Sequence, residues 1–276
     1  MCDWRELVKG HPAKKCLMID SKRLAEITAH TVGSLSETAM WATWQNSICE
    51  NADKFAAHPY YLAQQDGPQF TQENWERVTK EAMQSPLSAV VDRYRELDVP
   101  YGAKVVQTAC GAVTRAWLDS IIESDFINRH VPLTDRSILD IGAGYGRLAF
   151  MLPQMLDGVT YYCTDAVPIS IYLCEQYLCK LRSNSCVIML DETETVKAKM
   201  AINIHSWNEC SLLQVQNWLN LLDKINIRWL FTKVHDNRWL SWDGKNFRPE
   251  IERRYFVVSE EAKGFGRVPH VIWRRK

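Results

Sequence analysis

The hydrophobic rhythm of the chain changes once, near residue 136. Upstream of that point apolar residues recur at helical spacing. Lys22 to Ile48 carries Leu24, Ile27, Val32, Met40, Trp41 and Trp44, which predicts one or two helices broken at Gly33-Ser34. Gln72 to Leu97 repeats the pattern through Trp75, Val78, Met83, Val90, Val91, Tyr94 and Leu97, with Pro86 expected to interrupt it. Ala116 to Ile127 sets Trp117, Ile121, Ile122 and Phe126 on one side of a further helix. His58-Pro59-Tyr60-Tyr61, Gly67-Pro68 and Pro100-Tyr101-Gly102 read as loops between these stretches. Almost no strand signal occurs here, so residues 1–130 read as a helical cap.

Downstream, short β-rich runs alternate with apolar helices, the signature of a parallel sheet. Strands are predicted at 137–141, 159–164, 186–190, 200–204 and 227–232, and a closing antiparallel pair at 255–259 and 268–273. Helices are predicted at 147–157, 169–181 and 212–222. Residues 131–276 therefore read as an α/β domain with seven strands.

The first of these strands runs into Asp140-Ile141-Gly142-Ala143-Gly144-Tyr145-Gly146-Arg147, with three glycines in five residues before an apolar helix. A strand, a glycine turn and a helix N-terminus make a nucleotide-binding corner in an open α/β sheet. A dinucleotide fold wants G-x-G-x-x-G/A, and here Arg147 stands at its third position, against an NAD-dependent oxidoreductase. The G-x-G-x-G spacing, with an acid two places ahead, resembles motif I of the class I S-adenosylmethionine-dependent methyltransferases. That resemblance implies a Rossmann-like sheet and S-adenosyl-L-methionine as cofactor, held by Asp140, Gly142, Ala143, Gly144, Tyr145 and Gly146.

Asp165 closes the second strand nineteen residues after Gly146 and is placed to accept from both ribose hydroxyls, with Ala166 beside it. Asp165 also suits a helix N-cap. Asp191, after the third strand, is a weaker candidate for the adenine amino group. The fourth strand ends in Asn203-Ile204-His205-Ser206-Trp207-Asn208-Glu209, a dense polar run at the edge that faces the ligand crevice. Taken with motif I, this run resembles the sugar O-methyltransferase family, whose pattern has Glu, Gly and Met where this chain has Asp140, Ala143 and Cys210. The resemblance implies methyl transfer to a hydroxyl of a small, sugar-like acceptor. His205 or Glu209 is then the base or acceptor anchor, with Asn203 toward the cofactor and Ser206 and Asn208 orienting the acceptor. Lys233 to Arg238, after the fifth strand, adds His235 and Asp236 as acceptor-site candidates, and Trp239, Trp242 and Phe247 either stack on the acceptor or pack the loop. Two adjacent residues do not make a metal site, so no metal is expected. A methyltransferase-like module without turnover is the alternative reading.

The 33 basic and 33 acidic residues of the 276-residue chain cancel, which argues against a nucleic-acid or anionic-membrane partner, and the amino-directed D/N-P-P-Y tetrapeptide is absent after strand four. Nine scattered cysteines without a C-x-x-C pair, no signal-peptide pattern and no apolar run of spanning length fit a reducing cytoplasm. Composition leaves a homo-oligomer open.

Overall fold

The computed structural model describes residues 19–31, 39–57, 70–235 and 238–276, with the side chains of 39–44 excepted. Val32, the Gly33-Ser34 break, the side chains of Met40, Trp41 and Trp44, the loops at 58–61 and 67–68, and Asp236 lie outside the described residues.

The switch from helical to alternating rhythm falls where the sequence places it. Helices α1 (Ser21–Ala29), α2 (Ala39–Glu50), α3 (Gln72–Met83) and α4 (Leu87–Val90) precede a longer helix, α5 (Arg115–His130). Thr71 caps α3 and Thr114 caps α5, each hydroxyl accepting from an amide of the first turn. Pro86 separates α3 from α4 as expected, but Met83 and Val90 fall on the solvent side of the proposed stripe. The helical-cap reading also missed a hairpin: β1 (Val105–Thr108) pairs antiparallel with β2 (Gly111–Thr114) across Ala109-Cys110. Gly111 takes the positive φ that this tight connection requires.

Seven further strands form one sheet: β3 (Ser137–Ile141), β4 (Thr160–Thr164), β5 (Cys186–Val187), β6 (Met200–Ile204), β7 (Trp229–Lys233), β8 (Tyr255–Lys263) and β9 (Val268–Arg275). Their spatial order is β5-β4-β3-β6-β7-β9-β8, and only β9 runs antiparallel to both its neighbours. The third strand is shorter than expected because the chain turns at Met189, whose amide donates to Glu192. Helices α6 (Arg147–Met155), α7 (Pro168–Lys180), α8 (Leu212–Lys224) and α9 (Arg248–Glu252) fill the crossovers.

Alternation along the strands builds two cores. Ile138, Met200, Ile202, Phe231 and Ile272 face one side, packed with α5, α6, α7 and the N-terminal helices. Leu139, Ala201, Leu230, Val271 and Trp273 face the other, packed with α8 and α9. The N-terminal segment thus shares a continuous core with the sheet. Asp98 ties it in further, accepting from Tyr145 Oη at 2.9 Å and Tyr177 Oη at 2.7 Å.

The order reverses at β3, which pairs with β4 on one side and β6 on the other. The carboxyl ends of β3 and β6 are therefore neighbours, and a crevice opens above such a switch point.

Candidate active site

The glycine turn after β3 is held open by its own hydrogen bonds. The amides of Gly142 and Ala143 donate to the Thr164 carbonyl at 3.0 and 3.1 Å, and the Gly144 amide donates to Asp165 Oδ2 at 2.9 Å. Gly142, Gly144 and Gly146 all have positive φ. A Cβ on Gly146 would stand 2.7 Å from Cys174 Sγ, so that residue also lets α6 sit down on α7.

The turn after β6 is laced to the glycine turn. Asn203 donates to the Ile141 carbonyl at 3.0 Å and to Ser206 Oγ, while its Oδ1 accepts from the Trp207 amide at 3.2 Å. Ser206 Oγ donates to the same Ile141 carbonyl at 3.1 Å. His205 sits between them at φ +65°, a left-handed backbone that a non-glycine residue adopts only where its surroundings impose it. Its ring stacks on His235 with centroids 4.2 Å apart. Asn208 bridges the β6 and β7 loops, accepting from the His235 amide at 3.1 Å and donating to the Leu240 carbonyl at 2.9 Å.

A cavity of about 140 Å³ opens between these turns and α5, room for roughly five waters. Of the expected site residues, the structure gathers Asp140, Gly142 to Tyr145, Asp165, His205, Ser206 and Glu209 around it. Gly146, Ala166, Asn203, Asn208 and His235 do not line it, and Asn203 and Asn208 bond to the loops. Asp191 is away from the cavity, exposed and paired with His30 Nδ1 at 2.7 Å. Trp239 and Phe247 are buried and pack the loop, and Trp242 is exposed.

Electrostatics sets the protonation states. Burial pushes Asp140 up to about 7, against the hydrogen bond from Tyr161 Oη at 2.7 Å and the charge of Arg147. Burial likewise pushes Asp165 to about 6, although the amides of Val167, Gly144 and Ala166 favour its ionised form. His205 is driven well below the ordinary histidine value by burial and by His235, Lys233, Arg115 and His270. Its ring is neutral at pH 7, and its buried Nδ1 has no hydrogen-bond partner.

Sequence reading missed the other wall. Arg115, Asp119 and Glu123 lie four residues apart on one face of α5 and line the cavity with Arg147 and Lys233. Lys233 Nζ donates to Glu123 Oε1 at 2.8 Å, Arg147 Nη2 to Glu123 Oε2 at 2.8 Å, and Arg115 Nε to Asp119 Oδ2 at 2.9 Å. Burial opposes ionisation of both acids, but Arg147 and Lys233 outweigh it at Glu123, and Lys233 and Arg115 at Asp119. Both carboxyls are held below their usual range. The i, i+4, i+8 charge spacing on one face of the helix was the available signal.

The glycine turn, the acid just after β4 and the order 3-2-1-4-5-7-6, counted from β3, coincide with what motif I implies. This is the class I methyltransferase fold. Solved structures match the chain at low identity. The magnesium protoporphyrin IX methyltransferase of Synechocystis PCC 6803, solved with bound SAM, is 12% identical, with 70% of this chain and 98% of that one covered and a TM-score of 0.45. The mitomycin 7-O-methyltransferase MmcR is 16% identical over 80% of this chain and 73% of its own, with a TM-score of 0.48. The ribosomal protein L11 methylase of Lactobacillus delbrueckii subsp. bulgaricus is 14% identical over 58% of this chain and 77% of its own, with a TM-score of 0.40. No family model and no curated protein matches the sequence.

Proposed function

We propose that the protein transfers a methyl group from S-adenosylmethionine to a hydroxyl of a small, sugar-like acceptor. The observation that carries this reading is the cavity at the carboxyl ends of β3 and β6, walled by the positive-φ glycine turn on one side and the His205 turn on the other. The residues fit the cofactor: the glycines leave the turn without side chains where a ligand approaches, and Asp165 keeps a lone pair beyond the three amides it accepts. Asp140, Gly142, Ala143, Gly144, Tyr145 and Asp165 would hold it. Bound S-adenosylmethionine supplies a methyl group already activated on a sulfonium.

The chain's own residues then have little bond-making to do. They align the acceptor and keep water out, and the ordered turns and buried wall provide this. His205 is the group that receives the acceptor's proton. Its neutral ring keeps one lone-pair nitrogen, and the buried Nδ1 left without a bond costs about 1–3 kcal/mol. Glu209 and Ser206 line the same cavity and orient that hydroxyl. The sugar-like acceptor rests on the resemblance of residues 203–209. Among the described residues no helix is long and apolar enough to cross a membrane.

Calorimetric titration with S-adenosylhomocysteine and, in parallel, NAD tests the cofactor. Binding of the former alone, weakened by Asp165→Ala, is expected; binding of neither moves the reading to a module without turnover. His205→Ala and Glu209→Ala should keep cofactor affinity and lower turnover by about 10²–10⁴ for the base and less for the anchor. Variants that lose cofactor affinity yet turn over normally at saturation would overturn this placement of the β6 end.

A further inference from the structure

One cation on the cavity wall, on α5, keeps an unmade hydrogen bond. Arg115, Arg147 and Lys233 share two ionised acids, Asp119 and Glu123. Lys233 and Arg147 both donate to Glu123, and Lys233 stands 3.5 Å from Asp119 as well. That cation is Arg115, whose Nη1 is buried and without a hydrogen-bond partner. Its guanidinium is fixed in place, over the Phe70 ring at 4.9 Å and near Phe265 at 5.7 Å, with Nε anchored on Asp119. Burial pulls the Arg115 pKa down, and Asp119 opposes it. Among the other groups on the wall, Asp140 and Asp165 are pushed by burial to about 7 and about 6, and His205 is neutral. Glu209 is the remaining carboxylate.

Position indicates what the free guanidinium edge faces. Arg115 shares Asp119 with Lys233, at the end of β7, and lies near enough to His205 to disfavour its protonation. It stands on the β6–β7 side with the proposed base, while the glycine turn and Asp165 stand over β3 and β4. A planar guanidinium with a free edge matches a carboxylate. We propose that Arg115 receives a carboxylate of the methyl acceptor, so that the substrate is a hydroxylated acid, such as a sugar acid, rather than a neutral polyol. This rests on the methyltransferase reading above.

Malonate and malonamide, matched in size and differing in charge, are titrated onto the full-length protein, alone and saturated with S-adenosylhomocysteine. Malonate should bind at least tenfold more tightly than malonamide. Arg115→Met should cut malonate affinity tenfold or more, with partial recovery in Arg115→Lys. Equal affinity for the two probes in the wild type, or no malonate binding, overturns the proposal whether or not the variants fold. An Arg115→Met protein that loses S-adenosylhomocysteine but keeps malonate would put the cofactor's own carboxylate there, and would also overturn it. Charge-selective malonate binding lost in Arg115→Met, in a protein that never binds S-adenosylhomocysteine, would support the anion receptor and sink the cofactor reading instead.

Discussion

Gly142 is where the two chemical turns touch, and alanine there measures that contact. The residue has φ +76°, and an added Cβ would enter the van der Waals envelope of Ser206 Cβ and Oγ. A left-handed backbone costs an alanine about 1–2 kcal/mol. Ser206 must also withdraw, giving up its hydrogen bonds with the Ile141 carbonyl and Asn203, each worth about 0.5–1.5 kcal/mol. The loss for Gly142→Ala is then about 2–5 kcal/mol, a large share of the roughly 5–15 kcal/mol that holds a domain folded. Gly158→Ala is the matched control: φ is +70° and nothing lies within 4 Å of the added carbon, so only the backbone cost of about 1–2 kcal/mol remains. Urea unfolding followed by tryptophan fluorescence yields both values. Adding Ser206→Gly closes a double-mutant cycle, in which the pair should lose about 1–3 kcal/mol less than the two single losses summed. Equal losses for the two alanine variants, with an additive cycle, would refute the contact and with it the close approach of the turns.

Asp140→Asn should reveal the cost of ionising a buried carboxylate. The folded-state pKa is raised from 3.8 to about 7, so the penalty is absent at pH 4, develops as pH rises through that interval and is complete above it. Asparagine never ionises and can still accept from Tyr161, so its stability relative to wild type should climb from pH 4 to 8 by up to about 4 kcal/mol; a difference flat across that range would contradict the assignment. Glu123→Gln leaves Lys233 and Arg147 buried without the acid they share, and should cost about 3–5 kcal/mol in the urea midpoint. A loss under about 1 kcal/mol would mean that the charges are solvated in solution.

The parts of this fold legible in sequence are those decided locally. Strands 137–141 and 200–204 fall where their apolar runs end in turn chemistry, because a buried parallel strand is a short apolar block between polar stops. The glycine turn was legible for the same reason, its conformation being required by the residues themselves. What escaped depends on distant neighbours. Val105 to Thr114 has neither length nor an Asn-Gly turn to announce a hairpin, and it is supported by Gln72 and Glu76 of α3, which bond to Gln107 and Ala109. Asp191 reads in sequence as an acid at a strand end, but β5 stops at Val187 and His30, just past α1, pairs with it. Asn203 and Asn208 look like ligand donors in sequence because their type is right, and only the fold shows their amides spent on the Ile141 and Leu240 carbonyls. The paired charges of α5 were hidden because their partners, Arg147 and Lys233, lie in other elements of the chain.

Those buried charges also bear on the order in which the molecule is made. Glu123 leaves the ribosome 110 residues before Lys233, an interval of roughly 5–20 s at usual synthesis rates. Arg147 follows Glu123 after only 24 residues, so one partner arrives early and the other late. During the wait the acidic face of α5 cannot be sealed against the sheet without stranding a carboxylate in the core. The helix that walls the cavity is synthesised in the first half of the chain and completed by the second, and the site comes into being only when β7 has been added.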